Sequence, residues 1–314
     1  MASEAFRPAL PECWGHRGAS AAFPENTLSS FAQAIRDGSE GIESDVHVTA
    51  DDVIVMFHDT TLDRTTDGKG LISARPYFGA DGIEHVRTLE KPVQQIPTFE
   101  QLCELLMKEE NRHVKLNVDI KPNNDPERLF SIMDKIVRKF PGYETQLAPR
   151  LILGLWHPKF IEPAKKHVPT LSLAHIGSSP ADALRYFWKD CSTFSLNFPA
   201  LATDEGQRFL QRAKEEKKDV MVWTVNRIDE MVEATRWGVK AILTDHTDGL
   251  QNLRKEMAAD FLGTEKKYVA PYFRWTYYKY YTPYAQLYRY LCVNEVVKHA
   301  GMSFEQGSAP VPVS

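Results

Sequence analysis

A closed (β/α)8 barrel of the TIM type is the fold predicted by this 314-residue sequence. Three observations predict it. Short apolar, β-branched runs alternate with amphipathic stretches, the pattern of parallel strands joined by helical crossovers. Nine such runs occur, and the third follows the second after only Thr49-Ala50-Asp51-Asp52. Four residues cannot make a parallel crossover, so these two runs form an antiparallel hairpin and eight barrel strands remain. The length also suits a barrel of about 200–250 residues in one domain.

The runs lie at Cys13–His16, Gly41–Val48, Val53–Phe57, Lys115–Ile120, Leu151–Leu155, Thr170–Leu173, Thr193–Phe198, Val220–Val225 and Ala241–Thr244. Between the first two, Leu28, Phe31, Ala32 and Ile35 make a helical stripe, with Asn26 or Thr27 as its cap and Gly38 as its stop. In the hairpin, pairing Val48 with Val53 sets Val46 against Val55 and Glu43 against His58. Thr98 with Gln101 reads as a capping box opening a Phe99–Met107 helix. Leu129, Phe130, Met133, Ile136 and Val137 line another helix, ending before Pro141-Gly142. Arg208–Glu216 and Ile228–Trp237 complete the later pairs. An open dinucleotide-binding sheet is disfavoured because no GxGxxG follows the first strand.

Composition narrows the function. Hydrophobic content of 43% and charged content of 25% are those of a globular protein, and a net charge of −4 lacks the basic footprint of a nucleic-acid binder. Cys13, Cys103, Cys191 and Cys292 lie far apart, which reads as buried thiols in a reducing compartment. The Met1–Glu4 start has neither a basic region nor an apolar core, so no signal peptide and an intracellular location are expected. No apolar run is long enough for a membrane span.

The chemistry gathers at strand ends. Glu43 and Asp45, two apart on one strand, share a face, and two uncompensated carboxylates in a half-buried element are costly. A cation resolves that cost. Asp119 is the best third ligand, and an all-oxygen set favours Mg2+ or Ca2+. His16 and His58 each end an apolar run, and imidazole titrates where proton transfer near neutrality needs it. Spacing favours His16 as the base, although the sequence does not fix which is base and which acid. Arg17 and Lys121 suit phosphate oxygens, the ordinary alternative for Lys121 being a pairing with Glu43 or Asp45. Glu25 reads as a partner lying behind a histidine or metal, and Asn26 as a helix cap. Trp223 and Asn226 supply an aromatic wall and a polar tip for a glycerol pocket, while core packing explains Trp223 equally well.

These residues resemble the glycerophosphodiester phosphodiesterase family. The likeness rests on His16-Arg17-Gly18, Pro24-Glu25-Asn26-Thr27, Glu43-x-Asp45, His58-Asp59 with Arg64-Thr65-Thr66, Asp119-x-Lys121 and Trp223-Thr224-Val225-Asn226, from about Cys13 to Asp245. It implies a TIM barrel of the phospholipase C-like phosphodiesterase type. It assigns Glu43, Asp45 and Asp119 to a divalent metal, His16 and His58 to catalysis, and Arg17 and Lys121 to substrate phosphate. Two departures stand out. The third acid is Glu in many relatives but the shorter Asp119 here, and the Asp59–Pro97 segment lacks the insertion that relatives can carry, which would leave the mouth open to a bulky substrate. Gly154-Leu155-Trp156 with Pro158, and Lys266 to Pro271, resemble the fungal phosphatidylglycerol phospholipase C branch.

The expected organisation is a catalytic barrel over 10–258, an aromatic and basic extension over 259–306 and a disordered tail over 307–314. Nine of the 12 tyrosines follow the barrel, from Tyr268 to Tyr290, with Phe273, Trp275, Arg274, Lys279 and Arg289 among them. Such side chains favour a membrane surface, whereas the plainer alternative is that the segment packs back on the barrel. The reading implied is a peripheral enzyme on the cytosolic face of a membrane or lipid droplet. It would cleave phosphatidylglycerol to diacylglycerol and glycerol phosphate through a cyclic phosphate. The alternatives are a glycerophosphodiesterase acting on soluble diesters such as glycerophosphocholine and, more remotely, a non-catalytic lipid-binding module.

Overall fold

The computed structural model describes residues 9–268 and 271–308, with the side chains of 271–281 outside the described residues. Among the described residues nine strands form: β1 (Glu12–His16), β2 (Gly41–Val48), β3 (Ile54–Met56), β4 (Lys115–Ile120), β5 (Leu151–Leu155), β6 (Ser172–Gly177), β7 (Thr193–Asn197), β8 (Asp219–Trp223) and β9 (Ala241–Thr244). Eight are parallel, and β1 pairs with both β9 and β2 to close the cylinder. The expected (β/α)8 barrel is the fold observed. Along β2, Gly41 to Glu43 pair with β1, and Val46 to Val48 pair with antiparallel β3. The hairpin strand thus takes over the edge that β1 leaves at His16.

The hairpin register differs from the expected one by one residue. Val46 lies opposite Met56 and Val48 opposite Ile54. The cause is a longer loop: Thr49 N–H donates to the Val53 carbonyl at 2.9 Å, Asp52 turns left-handed at φ 64°, and Val53 is thereby drawn out of the ladder. Strand β6 also runs past its expected end. His175 is buried, stacks on Phe187 at 3.8 Å and meets the Leu155 carbonyl through Nδ1 at 3.0 Å. Thr27 caps the Leu28–Arg36 helix, and the Thr98–Gln101 capping box opens Phe99–Met107.

Inside the cylinder Trp14, Met221, Ala241 and Leu243 form a floor, while the main core fills the space between strands and helices. Gly41 is required at that floor, because a Cβ there would lie 2.2 Å from the Trp14 ring. Cys13, Cys103 and Cys191 are buried thiols, and Cys292 is half-buried.

Helix Thr247–Ala259 completes the barrel, and the chain continues beyond it as helices Phe261–Tyr268, Pro271–Ala300 and Phe304–Gly307. Arg289 reaches Asp182 at 3.4 Å, and Phe304 packs edge-on against His157 and Phe187. The described extension therefore folds back over the strand C-termini. Of the segment expected to be disordered, Gly307 closes a short helix and Ser308 caps it, and 309–314 lie outside the described residues, as do Met1–Pro8. So do the side chains of Tyr272, Phe273, Arg274, Trp275, Tyr277, Tyr278, Lys279, Tyr280 and Tyr281. No helix among the described residues is long and apolar enough to cross a membrane.

Candidate active site

The site is built at the C-terminal ends of the strands, where the loops of this fold project functional groups. Strand β1 ends at His16, and Arg17 and Gly18 then both take left-handed backbone, φ 57° and 83°. This turn points the Arg17 N–H at Glu43, whose carbonyl it meets at 2.8 Å and whose Oε2 it meets at 3.1 Å. His16 Nδ1 lies 2.7 Å from Asp245 Oδ1. Asp245 also accepts from Ser20 Oγ at 2.8 Å and Asn226 Nδ2 at 2.6 Å. Burial alone would raise its carboxyl, but His16, Asn226 and Ser20 hold it far below the usual range. With Nδ1 engaged, His16 Nε2 faces inward, 3.5 Å from Thr224 Oγ1 and 3.9 Å from Glu43 Oε2.

The carboxylates come from the parallel pairing of β2 with β4. Asp45 and Asp119 are direct register partners, and Glu43 stands beside Asn117 one step down the strands. One oxygen from each of Glu43, Asp45 and Asp119 lies within 4.8 Å of the others, and all three residues are buried. Lys121 Nζ bridges Asp45 Oδ1 at 2.6 Å and Asp119 Oδ2 at 2.9 Å. Asn26 donates to Asp45 at 2.8 Å, and Trp156 Nε1 donates to Asp119 at 2.7 Å.

Burial, with Asp45 and Asp119 close by, pushes the Glu43 carboxyl well up. Burial raises Asp45 as well, but Lys121, His58 and Arg17 outweigh it and hold that carboxyl well down. Asp119 is raised, mainly by burial. Three acids thus share too little positive charge, and the deficit falls on Glu43. An oxygen-only donor set with unbalanced negative charge fits a hard divalent cation.

His58 arrives from the hairpin despite the shifted register. Its Nδ1 lies 2.7 Å from Asp59 Oδ1; Asp59 takes Arg64 Nε at 2.6 Å, and Arg64 reaches Glu25 at 2.7 Å. Glu25 in turn pairs with Arg17 at 3.1 Å. Both imidazoles therefore carry a carboxylate on Nδ1 and present Nε2.

His16, Arg17, Glu43, Asp45, His58, Asp119, Lys121 and Trp223 line one cavity of about 320 Å3. Glu25, Asn26 and Asn226 stand behind it. Asn26 is no cap: its φ of 56° turns the amide inward between Asp45 and Ser44, a conformation asparagine tolerates. Asn226 shapes no pocket tip but holds Asp245. Arg17 and Lys121 face carboxylates, so the expected alternative pairing of Lys121 with Asp45 is present. The mouth is not left open, because Tyr288 of the Pro271–Ala300 helix lines the same cavity.

Sequence reasoning missed Asp245, Trp156 and Tyr288 as site residues. An acid directly after the last strand was a usable signal for Asp245 in a barrel of this kind; no comparable signal marked Tyr288.

The sequence model of the glycerophosphoryl diester phosphodiesterase family matches residues 16–249. A glycerophosphodiester phosphodiesterase of Caldanaerobacter subterraneus is 27% identical over 255 residues, covering 76% of this chain and 95% of its own. One from Bacillus altitudinis is 24% identical over 250 residues, covering 79% and 100%. Among solved structures, a phosphodiesterase of Oleispira antarctica in complex with the product sn-glycerol-3-phosphate superposes with a TM-score of 0.61 at 23% identity, covering 77% of this chain and 96% of that one. A glycerophosphodiester phosphodiesterase from Parabacteroides distasonis gives 0.65 at 21% identity, over 79% and 98%. At such identities the superpositions speak to the fold.

Proposed function

This chain belongs to the glycerophosphoryl diester phosphodiesterase family, and on that premise we propose that it hydrolyses soluble glycerophosphodiesters to glycerol 3-phosphate and an alcohol. It is a phosphoric diester hydrolase. The observation that carries the reading is the pair of imidazoles, each with Nδ1 2.7 Å from a carboxylate and each lining the cavity of Glu43, Asp45 and Asp119. Glu43, Asp45 and Asp119 are the residues that would hold Mg2+ or Ca2+, which would supply Lewis-acid charge to the phosphoryl group when bound.

The rest of the chemistry belongs to side chains. One imidazole takes the proton of a glycerol hydroxyl, which attacks phosphorus, and the other protonates the departing alcohol oxygen. Water then opens the cyclic phosphate with the two roles exchanged. Asp245 and Asp59 fix the tautomers and stabilise each imidazolium. Arg17 and Lys121 are the cations at hand for the phosphoryl oxygens.

The test is direct. With Mg2+ or Ca2+, a panel of glycerophosphodiesters should release glycerol 3-phosphate, and His16→Ala should abolish release. A folded, metal-loaded protein that releases none from any member refutes the reading.

A second reading has one observation behind it. Tyr284, Leu287, Tyr290 and Leu291 are exposed and fall within one arc of the Pro271–Ala300 helix, beside the cavity mouth. Such a face suits a lipid surface. With the resemblance to the fungal branch, it supports peripheral binding at the cytosolic face of a membrane or lipid droplet, and cleavage of phosphatidylglycerol there. Diacylglycerol release from phosphatidylglycerol vesicles supports it; turnover of soluble diesters alone defeats it. With histidines and carboxylates gathered in one cavity, the non-catalytic module has no support.

A further inference from the structure

Tyr288 reaches the catalytic chamber from outside residues 16–249, the stretch that the family model matches. It lines that cavity together with Arg17 and Lys121. Its helix is held against the barrel by the buried Ala285 and Val296 and by Arg289, which meets Asp182 at 3.4 Å. Among the described residues the Tyr288 hydroxyl has no hydrogen-bond partner, and its ring neighbour is Tyr284 at 6.0 Å. Burial pushes that hydroxyl up to about 12, against the pull of Lys121 and Arg17. It is therefore a neutral, unspent O–H in the company of two cations.

A phosphodiester carries its charge on two non-bridging oxygens, each with lone pairs for more than one donor. The cations of the chamber are already shared. Arg17 meets Glu25 at 3.1 Å and Asp45 at 3.6 Å, and Lys121 meets Asp45 at 2.6 Å and Asp119 at 2.9 Å. Asn117 and Ser195 also line the cavity with unpartnered, buried side-chain atoms, but from lower in the cylinder. Asn117 stands one step below Asp119, and Ser195 is in register with Met221 of the floor. Tyr288 comes instead from the helix that covers the strand ends. A phenol there adds a donor without adding charge to a site of three acids and two cations. A hydrogen bond from it to an anionic oxygen belongs to the stronger class.

We infer that the Tyr288 O–H donates to a non-bridging phosphoryl oxygen of the bound diester, so that the C-terminal extension completes the phosphate site of the barrel. This inference rests on the hydrolase reading above. It makes Tyr288 a catalytic residue and gives the extension a chemical part beyond that of a cover. Held in place before substrate arrives, the donor needs no reorganisation as charge builds on the phosphoryl oxygens in the transition state.

Two substitutions test it. Tyr288→Phe keeps the ring as a roof and removes the donor, whereas Tyr288→Ala removes both. In the metal-loaded protein, Tyr288→Phe should lower kcat/KM on glycerophosphocholine about tenfold or more and weaken binding of inorganic phosphate by a similar factor. Phosphate binding is read from tryptophan fluorescence, since Trp156 and Trp223 line the same cavity. Tyr288→Ala should lose at least as much in both measurements. A covering role alone predicts that only Tyr288→Ala is impaired. Tyr288→Phe matching the wild type in either measurement therefore overturns the contact. If the wild type turns over no diester, the hydrolase reading falls by itself and the phosphate titration still decides. Weaker binding in Tyr288→Phe then supports the contact, whereas equal binding, or none by the wild type, overturns it.

Discussion

Asp245 Oδ1 lies 2.7 Å from His16 Nδ1 across a sequence separation of 229 residues, and it joins the last strand end to the first. The contact fixes which imidazole nitrogen faces the cavity. Asp245→Asn should keep the shape and lose the tautomer preference, because an amide can donate to Nδ1 and turn the proton to Nε2. We expect kcat/KM to drop about 10²-fold or more, with KM little changed. Steady-state kinetics check it, and an unchanged kcat would remove Asp245 from the positioning role.

Cation dependence follows from the charge deficit on Glu43. Chelation should abolish turnover, and Mg2+ or Ca2+ should restore it. Glu43→Gln removes one of three donors and should weaken cation binding by at least about tenfold, the scale that even outer partners of a metal command. Trp156 offers a readout independent of activity, since its Nε1 donates to Asp119 at 2.7 Å. Its fluorescence should respond to cation titration in the wild type and shift to higher concentration in the variant. An identical titration curve would place the ion elsewhere.

The barrel was legible because its strands are apolar runs with clear ends, and because Glu43-x-Asp45 and Asp119-x-Lys121 each set two groups on one strand face. The acid cluster then needed only the parallel register of Asp45 on Asp119, which the crossover rule supplies. What stayed hidden depended on distance or on single dihedrals. Nothing local to Asp245 or His16 announces their contact. The hairpin slipped by one residue because Asp52 adopts a left-handed turn, a choice that a residue count cannot make. In the sequence of the Pro271–Ala300 helix aromatic residues recur without a helical period, so no stripe told that Tyr288 would turn into the cavity. Asn26 looked like a cap because Thr27, the true cap, is its neighbour.

Gly18 tests how tightly the first turn is held. Its φ is 83°, and a Cβ there would lie 2.4 Å from Ser30 Oγ. Gly18→Ala is therefore strained twice, by dihedral and by contact, and should cost roughly 1–3 kcal/mol of stability. The loss should come with a larger fall in kcat than in cation affinity, because the turn positions His16 and the Arg17 N–H while Asp45 and Asp119 hang on other strands. Thermal unfolding and cation titration of the same variant check both halves. A stable variant with full activity would mean that the turn adapts freely.

Acid sensitivity should arise partly at His175, on the wall away from the acids. Burial lowers its pKa from 6.5 to about 3, and its Nε2 has no hydrogen-bond partner. The unfolded chain therefore binds a proton in a range where the folded one refuses it. The sign follows: stability from this residue is intact above pH 6.5 and drains away as pH falls towards 3. His175→Gln keeps a donor for the Leu155 carbonyl and cannot take the proton. Losing the stack on Phe187 will lower the variant's Tm at neutral pH, so the level is not the test; the slope is. Between pH 6.5 and the onset of acid unfolding, Tm should fall less steeply in the variant than in the wild type. Parallel curves would mean that other groups carry the whole acid response and that His175 takes up its proton without opening the barrel wall.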